Sequence, residues 1–404
     1  MPAVGCWAVY EPGSALERRI RREFSGGEGE VMSDRGGAAV GWEARLRDVD
    51  LEIVRLLEKR TGLLQQMQKM GSEPLKVWEH QDQTEALMSE AMTRDQGSVS
   101  DALGMLFRSI ASATLDSTAR GPRASYLGPK YSYSHGAALQ YFGEATQLLG
   151  LPTIRSVFES VAKREADYGM VPIENSTDGG ISDTLSMFTQ TQVRICGEVP
   201  VAIHHCLLSR SSREQIREIY SKPQAISQCR DWLARHLPNA RCQPVESTAA
   251  AAELAAGEPH AAAIASSQAA AHYGLEIVER NIEDVAGNTT RFVVLGHEIP
   301  SPTGADKTSL LFQLPHRPGA LADAMVVFQK QQLNLTWIES FPVHQKMQEY
   351  QFFVEFEGHF QEPQPSQAIA QLTAQSQFLT ILGSYPKAKM ADASSISMAS
   401  QPNL

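Results

Sequence analysis

Between about residues 123 and 298 the chain repeats one unit: a short apolar run, a polar turn rich in Gly, Ser or Asn, then a helical stretch. No other feature restricts the fold as much. Residues 124–127 run into Gly128-Pro129 and a helix from about Ser134, and residues 168–173 run into a polar turn and a helix from about Ile181. Residues 218–221, 242–245 and 261–265 are each followed by helical sequence. Apolar runs this short, alternating with helices, predict an α/β domain over 123–298. Such sheets bind ligands beyond the carboxyl ends of their strands, which is where the polar turns fall.

On either side the grammar changes. Trp42, Leu46, Val49, Ile53, Leu56, Leu63 and Met67 fall at alternating four- and three-residue steps, a heptad seam on one long helix, with Arg60 in the same stripe. Residues 73–94 predict a second helix, and Val99, Leu103, Leu106, Phe107 and Ile110 a third. Three helices with one stripe each cannot hide them alone, so packing against a second copy or the rest of the chain is expected. After a linker at 300–306, the order strand 308–314, helix 319–331, strands 335–343 and 350–356, helix 365–374 and strand 379–385 predicts a ferredoxin-like βαββαβ unit. Residues 1–41 have no apolar period and read as a disordered leader, or as an over-extended start with Met32 the true first residue; 387–404 read as a tail.

A length of 404 residues allows two or three domains. A net charge of −10 with no basic block argues against nucleic acid or an anionic membrane as partner. No apolar run reaches the ~18 residues of a membrane helix. Cys6, Cys196, Cys206, Cys229 and Cys242 are odd in number and scattered, which points to reduced thiols in a cytoplasmic protein without disulfides or structural zinc. His204-His205-Cys206 is set aside as a metal site, because adjacent residues of an extended chain point to opposite sides.

Three polar turns carry the chemistry. Gly128-Pro129-Lys130-Tyr131-Ser132-Tyr133-Ser134-His135-Gly136 opens a helix, where N–H groups and hydroxyls could hold a carboxylate; a plain capped helix start fits it equally. It lacks the spacing of a P-loop or dinucleotide fingerprint. In Val171-Pro172-Ile173-Glu174-Asn175-Ser176-Thr177-Asp178-Gly179-Gly180 the donors exceed what a turn needs. Gly287-Asn288-Thr289-Thr290-Arg291-Phe292 sets an Arg able to fork a carboxylate beside a Thr able to donate a proton or hydrogen bond.

Taken in order, Gly128-Pro129-Lys130…Ser134-His135, Val171-Pro172-Ile173-Glu174-Asn175, His205-Cys206-Leu207-Leu208, Tyr220-Ser221-Lys222-Pro223-Gln224…Gln228-Cys229, Glu246-Ser247-Thr248-Ala249-Ala250 and Thr290-Arg291-Phe292 resemble prephenate dehydratase over the whole central segment. The C-terminal unit resembles an ACT regulatory domain: Pro318-Gly319-Ala320-Leu321 is similar to the Gly-Ala-Leu motif of the family's phenylalanine site. Glu339-Ser340-Phe341-Pro342 is similar to its Glu-Ser-Arg-Pro motif, with Phe for Arg. The helical segment stands where bifunctional P-proteins carry a chorismate mutase domain.

The resemblance implies a multidomain chain. An all-α N-terminal domain would occupy 42–120, a two-lobed, periplasmic-binding-protein-like α/β catalytic domain 123–298, and a ferredoxin-like ACT domain 305–386. It implies conversion of prephenate to phenylpyruvate, carbon dioxide and water in phenylalanine biosynthesis, with L-phenylalanine as allosteric ligand and a homodimer or tetramer as the assembly. Aromatisation drives the reaction, so no cofactor or metal is required. Thr290 would be catalytic and Arg291 would hold a carboxylate. Asn175, Ser221 and Gln228 would line the substrate cleft, with Ser134, Ser176, Thr177, Ser247 and Thr248 as further substrate positions. Gly319, Ala320, Leu321, Asn334, Glu339 and Ser340 would form the effector site. Arogenate is an alternative substrate of the same fold.

The chain departs from the family most in its helical segment. A mutase pocket needs several cations to stabilise charge on the chorismate ether oxygen. Only Arg60 is kept as a residual mutase residue; the other positions fall on Glu43, Gly71, Asp82, Gln83, Thr114 and Thr118, with Arg45 and Lys69 nearby. The segment therefore reads as a mutase-like domain that has lost its site; retention, as a bifunctional enzyme, is the alternative.

Overall fold

The computed structural model describes residues 37–70, 110, 122–143, 146–342 and 350–388. Residues 1–36 of the expected leader, 389–404 of the expected tail, most of the second and third expected helices, and Gly71, Asp82, Gln83, Thr114 and Thr118 lie outside the described residues, while 37–41 of the leader are helical. The heptad segment is one continuous helix, α1 (Gly37–Lys69). Along its seam, Trp42, Leu46, Val49, Ile53, Leu56 and Leu63 are all exposed. Arg60 is half-buried, and that burial lowers its pKa.

The central segment follows the order β1 (Arg123–Leu127), α2 (Tyr133–Phe142), β2 (Gln147–Leu151), α3 (Ile154–Ala162), β3 (Tyr168–Asn175), β4 (Gly179–Gly180), α4 (Ser182–Met187), β5 (Arg194–Ala202), β6 (Cys206–Ser209), β7 (Glu218–Ser221), α5 (Pro223–Gln228), α6 (Arg230–His236), β8 (Arg241–Pro244), α7 (Thr248–Gly257), β9 (Ala261–Ala265), α8 (Ser267–Tyr273), β10 (Glu276–Glu279) and β11 (Thr289–Gly296). Its strands form two sheets, in the orders β2-β1-β3-β11-β5 and β10-β6-β9-β7-β8. The chain leaves the first sheet after β5, builds the second lobe, and returns as β11 between β3 and β5. That insertion makes the domain two-lobed.

The helix starts are set locally. Ser132 caps α2, Thr153 and Ser156 form a capping box on α3, and Ser247 caps α7. The two segments crossing between the lobes are stitched together: Ile203 N–H donates to Asn288 O at 2.8 Å, Ile282 N–H to His205 O at 2.9 Å, and His205 N–H to the Glu283 carboxylate at 2.9 Å.

The C-terminal unit comprises β12 (Asp306–Gln313), α9 (Ala320–Lys330), β13 (Leu335–Pro342), β14 (Tyr350–Glu357), α10 (Pro363–Gln375) and β15 (Phe378–Pro386). All pairs in its sheet, β13-β14-β12-β15, are antiparallel. Alternation divides its residues. Leu310, Phe312, Val354 and Phe356 pack under α9 and α10, while Leu311, Phe353, Leu382 and Tyr385 join Val171, Ile173, Ile195, Val293 and Leu295 of the first lobe in one core. Burial of such side chains contributes ~1.5–3 kcal/mol each, so the unit is packed onto the first lobe rather than tethered to it. The approach is close enough that a Cβ on Gly383 would clash with the Ile195 carbonyl oxygen.

Candidate active site

The candidate residues meet where the lobes join. Thr290 on β11 and Asn175 at the end of β3 are direct partners in the sheet. The Asn175 Oδ1 accepts from two backbone N–H groups, Thr177 at 3.0 Å and Asp178 at 3.2 Å. Backbone N–H groups only donate, so they fix which end of the amide is oxygen. Both remaining donors of Asn175 Nδ2 are then used, on Thr290 Oγ1 at 2.8 Å and Asn288 Oδ1 at 3.0 Å.

The polarity propagates. With its oxygen accepting, Asn288 donates through Nδ2 to Gln228 Oε1 at 3.1 Å, which carries the chain into the second lobe. Gln228 Oε1 also lies 2.9 Å from His205 Nε2. Gln228 Oε1 can only accept, so His205 must carry its proton on Nε2. Burial lowers the pKa of His205, which keeps the ring neutral. Tyr133, whose hydroxyl donates to His204 O at 2.6 Å, packs edge-on against the His205 ring. The Gln228 Nε2 faces Asp178 Oδ2 at 3.4 Å, and Gln224 Nε2 donates to the same oxygen.

The consequence falls on Thr290. Its oxygen is already an acceptor from Asn175, so its own O–H is left to donate outward. A buried hydroxyl (9% exposed) with that polarity can hydrogen-bond a departing oxygen of a bound molecule.

Other expected positions are placed differently. Ser176 accepts from Thr289 N–H at 2.9 Å and donates to Asn288 Oδ1 at 3.4 Å, so it borders the network. Thr177 is exposed on the turn. Ser221 is fully buried and gives its hydroxyl to Ile264 O at 2.7 Å. Ser247 accepts from Ala250 N–H at 3.0 Å as a helix cap, and Thr248 is the first residue of that helix. Ser134 is buried in the first turn of α2.

Arg291 lies on the face opposite Thr290. It follows Thr290 on a regular strand and therefore faces the other side of the sheet. There its guanidinium meets Glu174, Glu198 and Glu355 at 2.9, 3.1 and 2.7 Å. In this arrangement its Nε, Nη1 and Nη2 all face protein carboxylates.

Among the effector positions, Gly319 has φ +82 and caps α9, Ala320 is buried and Leu321 is exposed. Asn334 donates to Glu357 at 3.2 Å. Glu339 faces Gly180 of the first lobe, whereas Ser340 is exposed on the other side of β13.

Asn288, His205 and Tyr133 were not singled out as site residues from the sequence, although all three lie in quoted motifs. Only Asn288 had a local signal, as a polar residue two positions before Thr290. His204 and His205 turn to separate partners, Glu283 at 2.9 Å and Gln228 at 2.9 Å.

A family model for prephenate dehydratase matches residues 124–300. The bifunctional chorismate mutase/prephenate dehydratase of Aquifex aeolicus (strain VF5) is 41% identical over 350 residues, covering 85% of this chain and 96% of that protein. Among solved structures, the prephenate dehydratase of Arthrobacter aurescens in complex with L-Phe superposes with a TM-score of 0.62 at 33% identity, over 69% of this chain and 96% of that one. GqqA, described as a novel type of quorum quenching acylase, superposes with a TM-score of 0.61 at 30% identity, over 66% and 98%. One fold thus carries more than one reaction, and the assignment rests on sequence. With a relative of that identity matched over nearly its whole length, and the family model spanning both lobes, the chain belongs to the prephenate dehydratase family.

Proposed function

We propose that this prephenate dehydratase carries out its elimination at Thr290. The observation that supports this reading is the fixed polarity from Asn175 to Thr290, which leaves the Thr290 O–H as an outward donor. The ring carboxylate of prephenate leaves as carbon dioxide, and its bonding pair enters the ring. The hydroxyl across the ring departs with a proton as water, and phenylpyruvate remains. A Thr hydroxyl is too weak an acid to surrender its proton outright. Its part is a hydrogen bond to the leaving oxygen that strengthens as charge develops, while solvent closes the proton count. Asn175, Asn288 and Gln228 hold that donor in place across the lobe junction, and His205 fixes the Gln228 amide.

The C-terminal unit is read as an ACT domain that binds L-phenylalanine, with Gly319, Ala320, Leu321, Asn334, Glu339 and Ser340 as its candidate contacts. Phe341 replaces the family's Arg and offers an aromatic face. The helical segment is read as a mutase-like element without a competent pocket, because Glu43 and Asp82 reverse the charge that chorismate needs. The exposed seam of α1 suits a homodimer or tetramer, in the cytoplasm.

The deciding experiment incubates the protein separately with prephenate, arogenate and chorismate, with and without L-phenylalanine. Phenylpyruvate from prephenate without chorismate turnover is the expected outcome. Chorismate turnover abolished by Arg60→Ala would establish a bifunctional enzyme instead, and preference for arogenate would reassign the substrate.

A further inference from the structure

We propose that Glu355, on β14 of the C-terminal unit, is a positioning residue for the dehydration step and reaches Thr290 through Arg291. The proposal rests on Thr290 assisting loss of the hydroxyl.

Arg291 Nη1 lies 2.7 Å from Glu355 and 3.1 Å from Glu198, and its Nη2 2.9 Å from Glu174. Lys307 on β12 joins both acids, at 3.1 Å to Glu198 and 3.2 Å to Glu355. Glu355 also accepts from Tyr385 at 2.8 Å and from Thr336 at 2.9 Å. The Trp337 ring covers the guanidinium, 5.1 Å from its carbon. Glu355 is 1% exposed, and its neighbouring cations hold its carboxyl below the usual range against the opposing effect of burial. Two cations and three carboxylates, all but Glu174 nearly buried, form a stiff fixture, since unpairing a buried member is costly.

What lies above the fixture gives it a second consequence. Arg291 pairs with Glu174 in the sheet, and the next rung pairs Thr290 with Asn175. One rung carries the ion pair on one face; its neighbour carries the hydroxyl and amide on the other. Both side chains of the ion-pair rung are therefore one peptide from the network. The C-terminal unit also grips this rung from a second side: Glu174 pairs with Gly180, where a Cβ would meet Trp337 at 2.9 Å and Glu339 at 3.2 Å. Any displacement of β13 and β14 is passed to the backbone that aims Thr290.

A cluster that merely glues two units together would leave the chemistry alone once the protein is folded, and a cycle of variants separates the cases. Glu355→Gln keeps the shape of the side chain, turns one accepting oxygen into a donating amide, and leaves two cations matched by two carboxylates. In the full-length enzyme, kcat and KM for prephenate are measured for this substitution in the native and the Thr290→Ala backgrounds. The expected result is roughly a tenfold loss of kcat with KM within about twofold in the native background, and less than about a twofold loss where no hydroxyl remains to be positioned. Equal losses in both backgrounds, or no loss in the native one, would overturn the proposal alone. Full turnover by Thr290→Ala would overturn the role of Thr290, and the proposal with it. If thermal melting finds Glu355→Gln unfolded, Arg291→Lys goes through the same cycle with the same expectations, because it keeps the charge and loses the fork.

Discussion

Asn175 and Thr290 face each other across β3 and β11, and the Asn175 amide donates to the Thr290 oxygen at 2.8 Å. The turn that follows Asn175 supplies the two N–H groups that stop the amide from flipping. Asn175→Asp puts an acceptor where that donor was, so the Thr290 proton turns inward. We expect kcat to fall by ~10²–10⁴, the range of a lost positioned proton donor, and by more than in Asn175→Ala. Steady-state kinetics with circular dichroism checks this; an Asp variant faster than the Ala variant would contradict the polarity.

Thr290→Ala should lose a similar ~10²–10⁴ in kcat while the fold survives, because only one hydroxyl and one methyl leave the strand. Thr290→Ser keeps the hydroxyl and should retain most of the turnover. Normal turnover in the Ala variant would remove Thr290 from the chemistry.

His205 gives the protein a pH-sensitive joint. A His of the unfolded chain titrates near ~6.5, and burial holds the folded His205 below its ordinary value. As pH falls through about 6.5 the unfolded state therefore takes up a proton that the folded state refuses. The stability is complete above that pH and is lost as pH falls from about 6.5 toward the folded pKa. Melting temperatures measured between about pH 7.5 and 5.5 should decline, and His205→Gln should flatten part of the slope. Part will remain, because burial lowers His135 in the same direction. An unchanged slope would mean that the folded His205 takes up its proton as readily as the unfolded one.

Gly383→Ala tests how closely the C-terminal unit is seated. The added methyl would clash with the Ile195 carbonyl oxygen, so β15 and β5 must separate. Overpacking of this kind costs about 1–3 kcal/mol or more, and the melting temperature should drop accordingly. A native melting temperature would mean that the two strands can part without loss.

Much of this was legible in the sequence, for identifiable reasons. The βαββαβ order of the C-terminal unit could be read from its alternating runs, and β12 to β15 lie within a few residues of expectation. Strands β2 and β5 were not expected. Gln147–Leu151 shows no strict alternation, and Arg194–Ala202 is interrupted by Gly197, Glu198 and Pro200. The last is buried because neighbours on both sides demand it: β11 pairs with its edge, and β15 packs against it.

What the sequence determined by itself is chemical: which donors, hydroxyls and amides exist, and that each follows a strand. What only the tertiary structure decided is which way they point. Ile173 and Asn175 are two residues apart and would share a face of a regular strand. A shift in register between β3 and β11 at Arg291 and Phe292 breaks that rule. It leaves Ile173 in the core and brings Asn175 beside Thr290. The same shift turns Glu174 to the face that Arg291 already occupies by alternation from Thr290. A bulge of one residue reverses every facing beyond it, and it is fixed by pairing and burial among three distant segments that no local pattern contains.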